Sequence, residues 1–145
     1  MLAAAMVSVN CAEAEPEIDV LDVSKYTSAC EVAPAALLWA RDGEWQVYAR
    51  KGRDSARRAL LLGVDSSLAV RRVMATGAVT RGTHAWSKSV VARFGADGRI
   101  SSVTEMFADG DTVRMDYRER SRPASREIAA RMEQLGRELA RQCLR

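Results

Sequence analysis

The sequence predicts an α+β protein in which a curved antiparallel β-meander packs against one long C-terminal α-helix. Two observations support this fold class. Residues 121–145 repeat apolar side chains every three or four positions, which is the pattern of an amphipathic helix. Residues 68–118 instead contain successive strand-like segments, separated by turn residues at Arg81-Gly82, Asp97-Gly98 and Asp109-Gly110.

The meander is predicted from its turns and from its alternation. An Asp-Gly pair favours a tight hairpin because glycine readily takes the positive φ that such a turn needs. Val113, Met115 and Tyr117 alternate with charged residues, as in a strand with one buried face. Gly77 interrupts the first strand and predicts a bulge or bend there. The predicted strands are residues 68–79, 83–94, 99–107 and 112–118.

Two further elements are expected before the meander. Residues 44–50 predict a strand whose inward side chains are Trp45, Val47 and Ala49. Residues 56–62 are interpreted as a short helix that Gly63 ends. A strand at residues 59–64 is the alternative, because three consecutive leucines have no period that separates helix from strand.

The C-terminal helix is the clearest single element. Ser121 or Ser125 supplies an N-cap, and Glu133 with Arg137 forms an i,i+4 pair. The spacing places five side chains on one stripe toward the core: Ile128, Met132, Leu135, Leu139 and Cys143.

The start of the chain resembles a secretory signal peptide. An apolar run from Leu2 to Val9 is followed by the small-x-small pattern Ala12-Glu13-Ala14. We therefore expect cleavage after Ala14, a single exported domain over residues 15–145, and a periplasmic or secreted location. The alternatives are a start segment buried in the fold and a lipoprotein anchored through Cys11.

If the first fourteen residues are removed, Cys30 and Cys143 remain. An even cysteine count in an oxidising compartment predicts a disulfide between them, and the helical stripe turns Cys143 toward the core. The alternative is two separate buried thiols. One histidine and the lack of a Cys-x-x-Cys pair argue against zinc, so no metal and no cofactor are expected.

Charge and hydropathy argue against two classes of protein, those that bind nucleic acid and those that span a membrane. A net charge of +3 with acids interspersed lacks the basic stripe of a nucleic-acid-binding protein. No stretch reaches the roughly 20 apolar residues of a transmembrane span. Residues 15–31 are rich in acids and residues 114–145 in arginine, so we expect these two segments to attract each other.

Few residues in this chain can carry acid-base chemistry. His84 is the only histidine, and Glu105, Asp109 and Asp111 are placed to pair with it across the sheet. A partly buried structural histidine is the simpler interpretation. No serine lies in a Gly-x-Ser-x-Gly elbow, and no phosphate-binding glycine motif is present.

The three tryptophans are the candidates for ligand contact, because an indole combines a large flat area with a polar N–H. They are Trp39, Trp45 and Trp86. Filling of the core is the alternative role for each of them.

A longer segment carries a family resemblance. It contains Lys51-Gly-Arg-Asp-Ser-Ala-Arg-Arg58, then Ala75-Thr76-Gly77, Val91-Ala-Arg-Phe-Gly-Ala-Asp-Gly-Arg-Ile100 and Glu105-Met-Phe-Ala-Asp109. Residues 52–109 thereby resemble the second half of nuclear transport factor 2-like (polyketide cyclase-like) domains. The resemblance implies a curved antiparallel sheet wrapped against helices, a pocket in its concave face, and proton transfer by His84, Glu105 or Asp109. The family's N-terminal helix pair has no counterpart here.

These observations lead to three functional hypotheses. The first is an exported, non-enzymatic binding domain that takes a small apolar ligand or a protein partner through an uncovered sheet face or a Trp-lined pocket. The second is a small isomerase, cyclase or dehydratase that uses His84 with Glu105 or Asp109. The third is a protein-interaction or inhibitor module that uses the arginine-rich helix.

Overall fold

The computed structural model describes residues 15–33, 46–53 and 57–144. Seven strands form one antiparallel sheet in which each strand pairs with its neighbours along the chain. A C-terminal helix follows, so the α+β meander with a C-terminal helix is confirmed. The elements are β1 Glu31–Ala33, β2 Gln46–Lys51, β3 Ala59–Val64, β4 Val70–Arg81, β5 His84–Phe94, β6 Ile100–Asp111, β7 Asp116–Pro123 and α1 Arg126–Cys143, with a short 3-10 helix at Val23–Lys25.

Several predicted features lie outside the described residues. They are the signal peptide over residues 1–14 and the side chains of Trp39 and Trp45.

Two of the three predicted glycine turns are confirmed. Gly82 between β4 and β5 has φ 61°, and Gly98 between β5 and β6 has φ 78°. Both values lie in the left-handed region that glycine adopts without a steric penalty.

The turn predicted at Asp109-Gly110 is wrong, because both residues lie inside β6. The chain reverses at residues 112–115 instead. The Asp111 carboxylate accepts hydrogen bonds from the N–H groups of Val113 and Arg114, and these bonds lower the pKa of Asp111. Gly110 is needed for space, since an added Cβ would lie 2.0 Å from the carbonyl oxygen of Asp116.

The predicted buried face at Val113, Met115 and Tyr117 is also wrong. Val113 and Met115 belong to the turn and are more than 70% exposed. Every residue of β7 is exposed. The physical reason is that the helix makes its main contacts with β3 to β6, so nothing comparable covers this end of the sheet among the described residues.

The helix predicted for residues 56–62 is wrong, and the strand alternative is correct as β3. Leu60 and Leu62 belong to the main core beneath the helix, whereas Leu61 belongs to a smaller cluster with Val47 on the other face. Because both faces are buried here, the strand shows a continuous apolar run without alternation.

The core lies between α1, the N-terminal segment and one face of the sheet. The helix contributes Met132, Leu135 and Leu139, all buried, and its predicted stripe is confirmed. Ile128 and Cys143 are partly buried at its margins. The strand residues of the same cluster include Val73, Ala75, Val90 and Ala92.

Gly77 marks a close approach and not the predicted bulge, since its pairing with Lys88 is regular. A Cβ there would lie 2.9 Å from Ile18 and 3.1 Å from Val20, two core residues of the N-terminal segment. The register shifts fall at residues 63/64 and 93/94.

Helix α1 begins at Arg126, so Ser125 is the correct one of the two predicted caps, whereas residues 121–123, predicted to be helical, belong to β7. The Ser125 hydroxyl accepts a hydrogen bond from the N–H of Ile128, which satisfies one of the free N–H groups at the helix start. The Glu133–Arg137 pair forms at 2.7 Å. An exposed pair of this kind stabilises by only a few tenths of a kcal/mol.

A covalent bond and a buried guanidinium join the two ends of the domain. Cys30, just before β1, is bonded to Cys143 in the last turn of α1, as predicted. Arg50 is 4% exposed and donates to the carbonyl oxygen of Thr27 and, at 2.8 Å, to the side chain of Gln142. Burial lowers the pKa of Arg50. Both links fasten the β1–β2 edge to the end of the helix.

We predict that the double variant Cys30→Ser and Cys143→Ser loses about 4–5 kcal/mol of unfolding free energy, because the bond closes a loop with a sequence separation of 113. Urea unfolding of the variant measures the loss. The unsubstituted protein with reductant should unfold like the variant, and equal midpoints with and without the bond would contradict the prediction.

We predict that Gly136→Leu destabilises the fold by about 1–3 kcal/mol through overpacking. An added Cβ at Gly136 would lie only 3.0 Å from the ring of Phe94 and 3.3 Å from Val73. Thermal unfolding measures the effect. Ala130→Leu, at an exposed position of the same helix, is the matched control and should leave stability nearly unchanged. Equal stability of the two variants would contradict a tight helix-to-sheet contact.

Candidate binding surfaces of the sheet

The face of the sheet that carries the core continues beyond the helix as a charged and aromatic surface. Register places Lys88 beside Phe107 and Phe107 beside Arg120, so the three side chains share this face. Lys88, Arg120 and Arg122 each bring a cationic group within 5.0–5.7 Å of the centre of the Phe107 ring. Cations at this distance are attracted by the ring electrons, which holds them near Phe107.

Glu105 fixes two of these cations. It is only 3% exposed. Its carboxylate accepts a 2.7 Å hydrogen bond from Nε of Arg122 and lies 3.9 Å from Nζ of Lys88. A buried carboxylate needs such partners, because removal from water without them is costly. Glu105 is therefore a structural anchor of this surface, and it has no contact with His84 in the described hydrogen bonds.

His84 pairs with Asp109, one of the acids expected opposite it. Nε2 of His84 lies 3.0 Å from Oδ2 of Asp109, and Nη2 of Arg118 lies 3.4 Å from the same oxygen. Asp111 is the register partner of His84 but uses its carboxylate in the turn. The His84 side chain is 41% exposed, so the pair faces solvent.

Asp109 is held in its ionised form. Partial burial raises its pKa, but the hydrogen bonds from His84 and Arg118 and the charge of Arg118 together lower it below the ordinary value. An ionised Asp109 can accept a hydrogen bond from His84 and thereby orient the imidazole ring. Because the same carboxylate also pairs with Arg118, it has a structural role as well.

Trp86 is the one tryptophan in the described part of the chain. It is 7% exposed and belongs to the main core. The His84 ring lies 4.3 Å from its ring, and the Arg81 guanidinium lies 5.9 Å away. This burial favours the core-filling role over direct ligand contact.

The opposite face of the sheet contains a hollow of about 350 Å³ across β5, β6 and β7. By register, Ser87 lies beside Ala108, and Ser89 lies beside Met106. Short side chains surround the half-exposed Met106, which leaves a depression with an apolar floor and hydroxyl groups at its sides. The hollow is lined by Ser87, Ser89, Met106, Phe107, Ala108, Glu119, Arg120 and Ser121.

The hollow lies next to a well-packed part of the same face. Thr76 on β4 and Ser89 on β5 share a hydrogen bond of 2.9 Å. Beyond them, Val47 and Leu61 form a small buried cluster with Met74 at its margin. The strands that form the hollow therefore continue into neighbours that are hydrogen-bonded and packed on the same face.

A second concavity, of about 870 Å³, runs along the outer side of α1. Its lining includes Arg137 and Arg141, but also Glu133, which is paired with Arg137. All described lining residues come from one helix, so this is a groove without facing walls. The arginine-rich helix is thus mixed in charge along this side.

The two segments of opposite charge meet as expected. Glu15 accepts a 2.9 Å hydrogen bond from Arg120. This contact places the start of the described chain beside Phe107 and the cations around its ring.

Residues 15–33, 46–53 and 57–144 contain no group of three or more His, Cys, Asp or Glu side chains close enough to hold a metal ion. Within the same ranges, no helix has the length and apolarity needed to cross a bilayer. No protein-family model, curated protein or solved structure matches the chain.

Sequence reasoning missed the two surfaces that the fold builds around β6 and β7. The signal for the charged surface was the alternation of Arg118, Arg120 and Arg122, which places all three on one face of a strand. The hollow has no comparable signal, because it depends on which strands become neighbours.

We predict that Asp109→Asn costs about 1 kcal/mol of unfolding free energy at pH 7, a low value because His84 and Arg118 are well exposed. The pKa of Asp109 is lowered in the folded state, so its contribution is present above an unfolded pKa of about 3.9 and is lost as pH falls through the folded value. The difference between the two proteins should therefore shrink below about pH 4.

Urea unfolding across this pH range provides the measurement. Asp116→Asn removes the same charge from an exposed residue of β7 and serves as the control. A stability difference that stayed constant down to low pH would contradict a role for the ionised carboxylate.

Proposed function

We propose that the protein is an exported, non-enzymatic binding domain that takes a small apolar ligand in the hollow across β5, β6 and β7. The observation that carries this proposal is the hollow itself. Its volume lies at the lower end of the range for small-molecule sites, and its apolar floor with a few polar groups is typical of them.

Export and removal of residues 1–14 belong to the same proposal. The Cys30–Cys143 disulfide supports an oxidising location, since such bonds persist outside the reducing cytosol. The resemblance to nuclear transport factor 2-like domains also remains a proposal, and the antiparallel sheet with a helix on one face is compatible with it.

Catalysis is the second candidate function, and the His84–Asp109 contact of 3.0 Å favours it. A histidine oriented by a carboxylate can act as a general base. Yet His84 is exposed, and Asp109 also binds Arg118. The dyad also lies on the face opposite the hollow. A ligand in the hollow would therefore not reach His84, and the two functions can be tested separately.

We predict that the protein enhances the fluorescence of 8-anilinonaphthalene-1-sulfonate, a small probe with an apolar aromatic body and one anionic sulfonate, and that Ala108→Trp removes most of this enhancement. The indole would fill the hollow between Ser87 and Glu119, the register neighbours of Ala108. Thermal unfolding must show that the variant stays folded.

Two controls make the result specific. Val113→Ser changes an apolar side chain of high exposure outside the hollow, and His84→Gln changes the dyad on the other face. Both should leave probe binding unchanged. Equal fluorescence with Ala108→Trp, or loss with His84→Gln, would reject the hollow as the binding site.

A further inference from the structure

Among the described residues, strand β7 forms an open edge of the sheet. It is the last strand in the sheet order, and all eight of its residues are exposed. An edge strand carries a row of backbone N–H and C=O groups that can pair with another strand.

The register shows which backbone groups of β7 face outward. The N–H of Ala124 donates to the carbonyl of Val103, its direct neighbour on β6, which marks a hydrogen-bonded pair. Such pairs alternate along an antiparallel ladder, so Arg118, Arg120 and Arg122 bond to β6. The N–H of Thr112 likewise donates to Thr83 on the other side of β6, which agrees with this assignment.

The backbone groups of Tyr117, Glu119 and Ser121 therefore point away from the sheet. Pro123 occupies the next outward position, where the lack of an N–H group costs no bond to β6. The free edge thus offers three N–H groups at alternate positions and ends at a proline.

The side chains that flank this edge carry a distinct charge pattern. Arg118, Arg120 and Arg122, here called the arginine row, lie on one face, and their side chains are 66–85% exposed. An added strand would meet them at non-hydrogen-bonded positions, where facing side chains come closest. Each guanidinium has five N–H donors, so its contact with Asp109, Glu15 or Glu105 leaves others for a second carboxylate.

The arginine row also disfavours a second copy of this chain as the occupant. If the β7 strands of two copies paired antiparallel about Glu119, Arg118 of one copy would lie opposite Arg120 of the other. If they paired about one of the three arginines, that arginine would lie opposite the same arginine of the second copy. Like charges directly opposite each other are destabilising. A strand with acids at alternate positions has the complementary pattern.

We propose that β7 accepts an added antiparallel strand from a partner protein, an extended segment with acidic residues at three alternate positions that face the arginine row. Backbone hydrogen bonds to residues 117, 119 and 121 would supply affinity, and the arginine row would set register and specificity. This inference does not depend on the hollow.

The test uses two labelled peptides of identical composition, Glu-Thr-Glu-Lys-Glu-Val and Glu-Glu-Glu-Thr-Lys-Val, in fluorescence polarisation with the whole protein. Only the first places all three acids at alternate positions, whereas the second can place two. We expect the first to bind about threefold more tightly, because it forms one more cross-strand charge pair. Binding should weaken as salt rises, since these charges are exposed.

Two variants test the contributions of backbone hydrogen bonds and of side-chain charges to binding separately. Ser121→Pro removes one outward N–H and should weaken binding about tenfold, with an unchanged melting temperature, because no bond to β6 is lost. Arg120→Glu should weaken it similarly, whereas Arg131→Glu on an exposed helix position should not. If Ser121→Pro fails to fold, N-methylation of the peptide's Thr and Lys removes the corresponding donors from the partner.

Equal binding of the two peptides would overturn the proposal, as would full binding by the N-methylated peptide. Sedimentation that revealed a dimer lost on Arg120→Glu would also overturn it, because β7 would then be occupied by a second copy.

Discussion

Burial of one face of the sheet under a single helix sets the rest of this structure. Helix α1 has 18 residues and makes its main contacts with β3 to β6, so it covers the middle of the sheet and leaves β7 uncovered among the described residues. Gly136 lets it lie close to Phe94 and Val73, so the contact is tight. Strand β7, which lies beyond these contacts, is exposed on both faces.

The charged surface around Phe107 follows from that limited cover. Next to the core, the Glu105 side chain is buried, with Arg122 and Lys88 as its cationic neighbours. One strand further out, the arginine row is exposed, with each arginine held by one acid. Charged side chains therefore become more exposed from the helix toward β7, and the edge strand lies in the most charged part of this face.

Much of the fold is predictable from local patterns. The stripe of α1, its Ser125 cap and the turns at Gly82 and Gly98 depend on nearby residues, and each was predicted correctly. The disulfide was predicted from the even cysteine count of an exported chain, and the position of Cys143 on the same stripe as the core leucines supported it.

The errors have a common origin in tertiary context. Leu60, Leu61 and Leu62 have no period because both faces of β3 are buried, which only the neighbouring strands determine. Gly110 looked like a turn residue, but it is required by the approach of Asp116 from the next strand. The His84–Asp109 contact was predictable from strand pairing, whereas the hollow required the register of three strands. The signal peptide and the resemblance to nuclear transport factor 2-like domains stay predictions.

The two borders of the sheet also differ in what they offer to other molecules. Strand β1 is three residues long, and the cysteine before it is bonded to the end of the helix, whereas β7 presents eight residues. A sheet with one long edge strand has one site for the addition of a strand. With β7 as the one long edge strand among the described residues, the protein can extend one neighbouring sheet. Among the described residues, this asymmetry leaves one long exposed strand without making the molecule a seed for fibres.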